Sequence, residues 1–314
     1  MTLGMIAQAP ANTTYLAAAN EIFNKPEDGP WKTWTAELPT DGQYLSLEGV
    51  GPGGRVRELV GARRFTVLRA YSRLYRVKTW SVDGIKLDRK EVDLDKSGIM
   101  TRRLSDFLQT NKGFWGKVAV DTLISNPVGI DGVALLHDSH PNGVDGATWD
   151  NLTTDVLSPA ALQAGVTAMA GLRLENGEPA LMYPTHLMVG PALERLATDL
   201  VGANRPVPLA ATGLEAYSSA VAAVAIQNWM AGRLQVIIEP RLADGTNDNN
   251  WYIMDLSKPG VRPVAYGAAG TPRAHAITDP SSDNVVHLDQ YLYYVDGDGA
   301  WGGFAPHCIY GKTG

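Results

Sequence analysis

The chain has a single cysteine, Cys308, in 314 residues. That excludes an internal disulfide framework and a cysteine-rich zinc site, and it predicts an ordinary packed thiol. Long apolar runs are missing too. The longest, Ala220–Ile226, falls far short of the roughly 20 residues that span a bilayer. Residues 1–10 carry none of the basic residues that open a signal peptide. Together these absences predict a soluble protein, made in a cytoplasm, with no membrane partner. Positive charge is in deficit: 27 Lys and Arg stand against 33 Asp and Glu, for a formal net charge of −6. A protein that grips nucleic acid over a wide face needs the opposite balance, so any nucleic acid it meets is expected to be contained without sequence-specific binding. Apolar residues are plentiful. A hydrophobic content of 45% supplies a sizeable core and suits two modest domains or one elaborated domain.

The stretch Ser97–Pro127 organises the rest. Ser97 has the chemistry of an N-cap, and Met100, Leu104, Phe107, Leu108, Phe114, Trp115, Val118 and Leu123 recur at the spacing of one helix face. One long helix over 97–125 is expected, ending before Pro127 and roughly 40 Å long at 1.5 Å per residue. Before it, residues 1–30 read as an arm with a short helix at Tyr15–Asn24. From Trp31 to Val82 short alternating runs are broken by Pro39–Gly42 and Gly49–Gly54, a pattern that predicts a long β-hairpin projecting from the body. A lone hairpin of that length needs another chain to lie on. After the helix come a loop at Gly129–Asn142, a helix opened by Ser158-Pro159, a turn at Asn176-Gly177, a strand at His186–Val189 and a helix over Pro191–Val201. That last helix should face Leu193, Leu196, Ala197 and Leu200 inward. Residues 213–230 are compatible with a helix, and strands are expected at Leu234–Glu239, Trp251–Leu256, Val261–Tyr266 and Val285–Val295.

Motifs with chemical associations are present but incomplete. Gly49, Gly51 and Gly54 satisfy G-x-G-x-x-G, yet Pro52 interrupts it and no helix pattern follows, which suits a hairpin tip better than a dinucleotide site. Gly311-Lys312-Thr313 imitates the end of a phosphate loop, with Pro306 where its first glycine belongs, and reads as a tail. His137, Ser139 and His140 form the most enzyme-like cluster. A metal site would need a further ligand, and a serine nucleophile would need its G-x-S-x-G elbow. Polar side chains tying down a loop are the simpler reading of His137 and His140. Asp296–Gly299 and Asp244–Asp248 lack the twelve-residue calcium order and read as hairpin turns. Tyr291, Tyr293 and Tyr294 read as sheet packing. No catalytic, cofactor or metal constellation survives.

Between Gly54 and Arg73 the expected hairpin carries Arg55, Arg57, Arg63, Arg64, Arg69 and Arg73 against one acid, Glu58. Guanidinium groups suit bidentate pairing with carboxylates, so these arginines are expected to meet acids of an adjacent subunit, with Glu91, Asp93 and Asp95 as candidates.

These segments also resemble a known family, the Mu-like phage major head subunit (gpT family). The likeness includes Trp34 with Pro39-Thr40, then Val56–Arg64, Tyr75–Val82 and Leu87–Asp95. It continues through Asp131–Asn142, Asn176-Gly177, Tyr183–Val189, Pro191–Glu194, Val236–Leu242, Trp251-Tyr252 and Arg262–Val264, in that order. The resemblance implies an α+β chain of the tailed-phage major capsid fold, the Hong Kong 97 type. It implies an arm at 1–30, an extended loop at 31–82, and a peripheral domain at 83–130 with a spine helix at 97–125. A mainly axial domain at 131–284 and C-terminal strands at 285–314 complete the chain. The implied function is a major capsid protein, not an enzyme. It would self-assemble through hexamers and pentamers into an icosahedral shell around double-stranded DNA, built in the host bacterial cytoplasm and located in the virion. Portal, scaffold and decoration proteins are the implied partners, and no cofactor is implied. An encapsulin-like compartment shell shares this fold and is the alternative, with a Ser/His or metal hydrolase as the enzyme alternative.

Overall fold

The computed structural model describes residues 10–24, 29–50, 70–95, 97–142, 148–174, 176–202 and 228–313. Helix α1 (Pro10–Phe23) is docked on the body, burying Tyr15, Ala19 and Phe23. Tyr15 meets Tyr293 edge-on at 5.0 Å and donates a hydrogen bond to the carbonyl of Tyr294, so the arm contributes to the core through its aromatic face. The short α2 (Trp31–Trp34) and strand β1 (Thr35–Glu37) are also part of the body. Trp31 and Trp34 are fully buried. The expectation that the extended loop over 31–82 begins at Trp31 is therefore corrected, because two fully buried indoles must sit in a core.

The hairpin itself is β2 (Tyr44–Val50) paired antiparallel with β3 (Ala70–Arg76), from Tyr44 opposite Arg76 to Val50 opposite Ala70. Strand β4 (Lys78–Asp88) returns to the body and pairs antiparallel with residues 290–299. A short α3 (Arg89–Asp93) follows, capped by Asp88, whose carboxylate accepts from the amides of Lys90 and Glu91.

The long helix expected over 97–125 is two helices, α4 (Ile99–Thr110) and α5 (Phe114–Ile124). The break has a local cause. Asn111 turns its amide back to the carbonyl of Phe107 and accepts from Lys117, while Gly113, a poor helix former, takes the N-cap position of α5. Asp95, not Ser97, caps α4, accepting from the amides of Ser97, Gly98 and Met100. Helix α5 is the central buried element, with Phe114, Trp115, Val118, Ala119, Val120 and Leu123 all inside.

Two-residue strands β5 (His140–Pro141) and β6 (Thr148–Trp149) close the loop after α5. Helix α6 (Pro159–Gly171) starts where Ser158-Pro159 places it, with the Ser158 hydroxyl accepting from the amide of Ala161. Strand β7 (His186–Val189) is followed by a 3-10 turn at Pro191–Leu193 and α7 (Glu194–Val201). Ala197 and Leu200 are buried, but Leu196 is exposed, correcting its inward assignment. Strands β8 (Gln235–Ile238), β9 (Trp251–Met254), β10 (Val264–Ala268) and β11 (Arg273–Ile277) lead to α8 (Asp283–Leu288), β12 (Gln290–Gly303) and β13 (Ile309–Lys312). The strand expected at Val285–Val295 thus begins as a helix. Ser282 and Asp283 provide the polar start, and Asp289 ends it at φ 53°, a left-handed residue that the β-branched valines do not foretell. The helix expected within 213–230 lies almost wholly outside the described residues.

The five-stranded sheet runs β1-β10-β12-β11, with β4 also on β12; the four-stranded sheet runs β13-β9-β7-β8. Gly311–Thr313 is not a tail, because Gly311 and Lys312 belong to β13. Asp296–Gly299 is not a turn but part of β12, and its alternation has a physical reason. Asp296 and Asp298 pair outward with His275 (3.0 Å) and Arg273 (2.8 Å), while Gly297 and Gly299 leave the room on the inner face that Phe114 and Trp115 fill. A main core joins the five-stranded sheet to α1, α4 and α5, and a second core lies between the four-stranded sheet and α6 and α7. Gly165 lets α6 approach that sheet, since a Cβ there would lie 2.8 Å from the Tyr310 ring and 2.9 Å from Ile253.

Candidate functional site

The histidine loop is a structural tie. His140 is fully buried, its Nδ1 2.6 Å from Asp131 Oδ2 and its Nε2 3.0 Å from Asn151 Oδ1, and its ring stacks on Trp149 at 4.3 Å. Asn151 is oriented by donating to the carbonyls of Leu135 and Pro306, so its oxygen faces the imidazole. Both ring nitrogens therefore lie within hydrogen-bond distance of a side-chain oxygen, which holds the ring in place. Asn126, at φ 50°, adds a strand-like double hydrogen bond to Leu136.

That geometry leaves no nucleophile and no metal cage. The Ser139 hydroxyl donates to Asp138, and His137 Nδ1 accepts from the amide of Ser139. Neither imidazole is placed to take a proton from the serine. Among the described residues no group of three His, Cys, Asp or Glu side chains could hold a metal ion. Cys308 is fully buried, and burial pushes its thiol well above the ordinary range, which makes it inert.

The root of the hairpin is the other organised region. Its inner face presents Leu45 and Leu47, both fully buried, to a small separate core with Ala36, Ala265 and Ala300. Tyr75 on the same face donates to the carbonyls of Val128 and Gly303, and burial pushes its hydroxyl up to about 12. Between this root, the histidine loop and the 172–174 turn lies an open cavity of about 350 Å³, lined by Tyr71, Ile130, Trp149, Leu172 and Phe304.

Of the residues expected at subunit contacts, Arg55, Arg57, Glu58, Arg63, Arg64 and Arg69 lie outside the described residues. Arg73 packs over the Tyr75 ring at 5.7 Å. Asp93 is engaged by Arg89 (3.4 Å) and by the Tyr291 hydroxyl (3.1 Å), and Asp95 is consumed in capping α4. Glu91 is exposed and has no ion-pair partner among the described residues. Arginine count and acid spacing singled out these residues but could not foresee their local partners. Asn151, Trp149 and Tyr75 were missed because their contacts join distant parts of the chain.

Residues 70–305 match the family described as phage capsid protein. The chain belongs to that family. No curated protein matches it significantly. Solved structures share the fold of this capsid protein. A chain from Microbacterium phage Oxtober96 is 12% identical with a TM-score of 0.54, covering 92% of each chain. The capsid of bacteriophage JBD30 decorated with minor capsid protein trimers is 13% identical with a TM-score of 0.52, covering 71% of this chain and 94% of that one. Against another JBD30 capsid chain the identity is 9% and the TM-score 0.48; that match covers 90% of this chain and spans 64% of the other. The fold is thus the mixed helix-and-sheet fold of phage major capsid proteins. The protein is a shell component, not an enzyme. Membership in the Mu-like subfamily is a finer matter than this family match.

Proposed function

We propose that this capsid protein is a Mu-like major head subunit. It assembles through hexamers and pentamers into a closed shell around double-stranded DNA, inside a host bacterial cytoplasm. Portal and scaffold proteins are its partners in assembly, and decoration proteins bind the finished shell. In this reading the five-stranded sheet with α4 and α5 is the peripheral part, and the four-stranded sheet with α6 and α7 the axial part. The observation that carries it is the hairpin, whose strands form a two-stranded sheet of their own among the described residues, joined by the arginine-rich stretch 51–69.

The arginines of one subunit lie on acids of the next. Because Asp93 and Asp95 already have partners, Glu91 is the foremost acceptor, with exposed Asp283 on α8 as the second. Exposed pairs contribute only ~0.2–1 kcal/mol each, so a single pair decides nothing; symmetry repeats the contact throughout the shell. The test is the double substitution Arg63→Glu with Arg64→Glu, followed by electron microscopy at several salt concentrations. Folded subunits that fail to close are expected. Wild-type shells at every salt concentration would refute the charge contact.

A further inference from the structure

The hairpin does not leave the body on a flexible stem. The hydroxyl end of the Tyr75 ring on β3 abuts Gly302 of β12; a Cβ at that position would sit 2.5 and 2.6 Å from the ring atoms Cε2 and Cε1. Any side chain at 302 must push the ring away. From this seat the Tyr75 hydroxyl donates to the carbonyls of Val128 and, at 3.3 Å, Gly303. On the partner strand, Gly49 comes so close to the histidine loop that a Cβ there would be 2.9 Å from Ile130 Cδ1. Val128 and Ile130 flank the loop that His140, Asp131 and Asn151 hold rigid.

We infer that Tyr75, seated on Gly302, and Gly49, resting on Ile130, are positioning residues that fix the angle at which the hairpin leaves the subunit, and through it the curvature of the shell. The inference rests on the reading that the hairpin contacts a neighbour. A contact made by a projecting element transmits the angle of its root to the relation between two subunits. Repeated around a closed assembly, a change in that angle changes which rotation closes. Stability alone would not require a tyrosine hydroxyl at this place, since Leu45 and Leu47 already anchor the root.

The test uses full-length protein carrying spin labels at Ser72→Cys, on the exposed outer face of β3, and Gln163→Cys, on the exposed face of α6, diluted with unlabelled subunits. Buried Cys308 remains unlabelled. The parent should give one narrow distance and shells of uniform diameter. Gly302→Ala and Tyr75→Phe should each broaden or shift the distance and cost the shells their uniform diameter, with circular dichroism unchanged. If Gly302→Ala does not fold, Tyr75→Phe, which adds no volume, decides alone. Unchanged distances would overturn the positioning role. Changed distances with uniform wild-type shells would overturn the link to curvature. A deletion of residues 51–69 separates the two levels: wild-type shells from that deletion would overturn the underlying reading of the hairpin as a neighbour contact.

Discussion

Replacing His140 by alanine is expected to loosen the loop after α5, and replacing Ser139 by alanine is not. The imidazole is fully buried and satisfies Asp131 Oδ2 at 2.6 Å and Asn151 Oδ1 at 3.0 Å. Its removal leaves a partly buried carboxylate oxygen of Asp131 short of a partner, at about 1–3 kcal/mol. The void against Trp149 adds about 1 kcal/mol. The Ser139 hydroxyl, by contrast, is exposed and bonds to its exposed neighbour Asp138, so its loss should stay within about 0.5 kcal/mol. Amide exchange reads the difference locally, because the amide of His137 donates to Asn151 Oδ1 and that of Leu136 to Asn126 Oδ1. A loss of about 2–4 kcal/mol corresponds to roughly 30- to 700-fold faster exchange at these amides in His140→Ala. A catalytic pair would instead make both substitutions abolish a turnover. Equal exchange in the two variants, or an activity lost in both, would refute the structural account of the loop.

Gly165→Val on α6 should destabilise the four-stranded half by about 1–3 kcal/mol through overpacking against Tyr310 and Ile253; an unchanged denaturant midpoint would contradict that packing. Glu239 is buried with its Oε2 unpartnered among the described residues, and burial raises its carboxyl above the ordinary value of 4.5. A raised carboxyl binds more protons folded than unfolded, so its ionisation destabilises the fold as pH rises through the folded value. Glu239→Gln should therefore be more stable than the parent at neutral pH, with the advantage shrinking as pH falls toward 4.5. An advantage that grows on acidification would show the opposite sign.

Local order was well written in the chain. Ser158-Pro159 starts α6, Asn176-Gly177 turns with Gly177 at φ 77°, and HLMV forms β7, because each depends on residues a few positions apart. The pairing of β2 with β3 was legible from the alternation of their residues, though the start of the extended loop was set too early. Trp31 read as a loop residue, since nothing nearby announces that Tyr266 and Trp301 complete its pocket. The apolar stripe over 97–125 named the right inward residues while the helix itself breaks at Asn111–Gly113, where side-chain hydrogen bonds outcompete continuation. In Asp296–Gly299 the same residue types that favour a turn are held straight by partners on β4 and β11. The candidate site was the least legible part. His140 was visible as a loop residue, but Asn151 and Trp149, which give it meaning, have no spacing rule, and Tyr75 meets Gly302 from a distant part of the chain.

The central claim is that this subunit exists to be surrounded by copies of itself. Electron microscopy of the purified protein, with sedimentation on the same sample, tests it most directly. Hexamers, pentamers or closed shells are expected, because the hairpin and the apolar area it carries need a neighbour to cover them. A folded, monodisperse monomer persisting at high concentration would contradict the account.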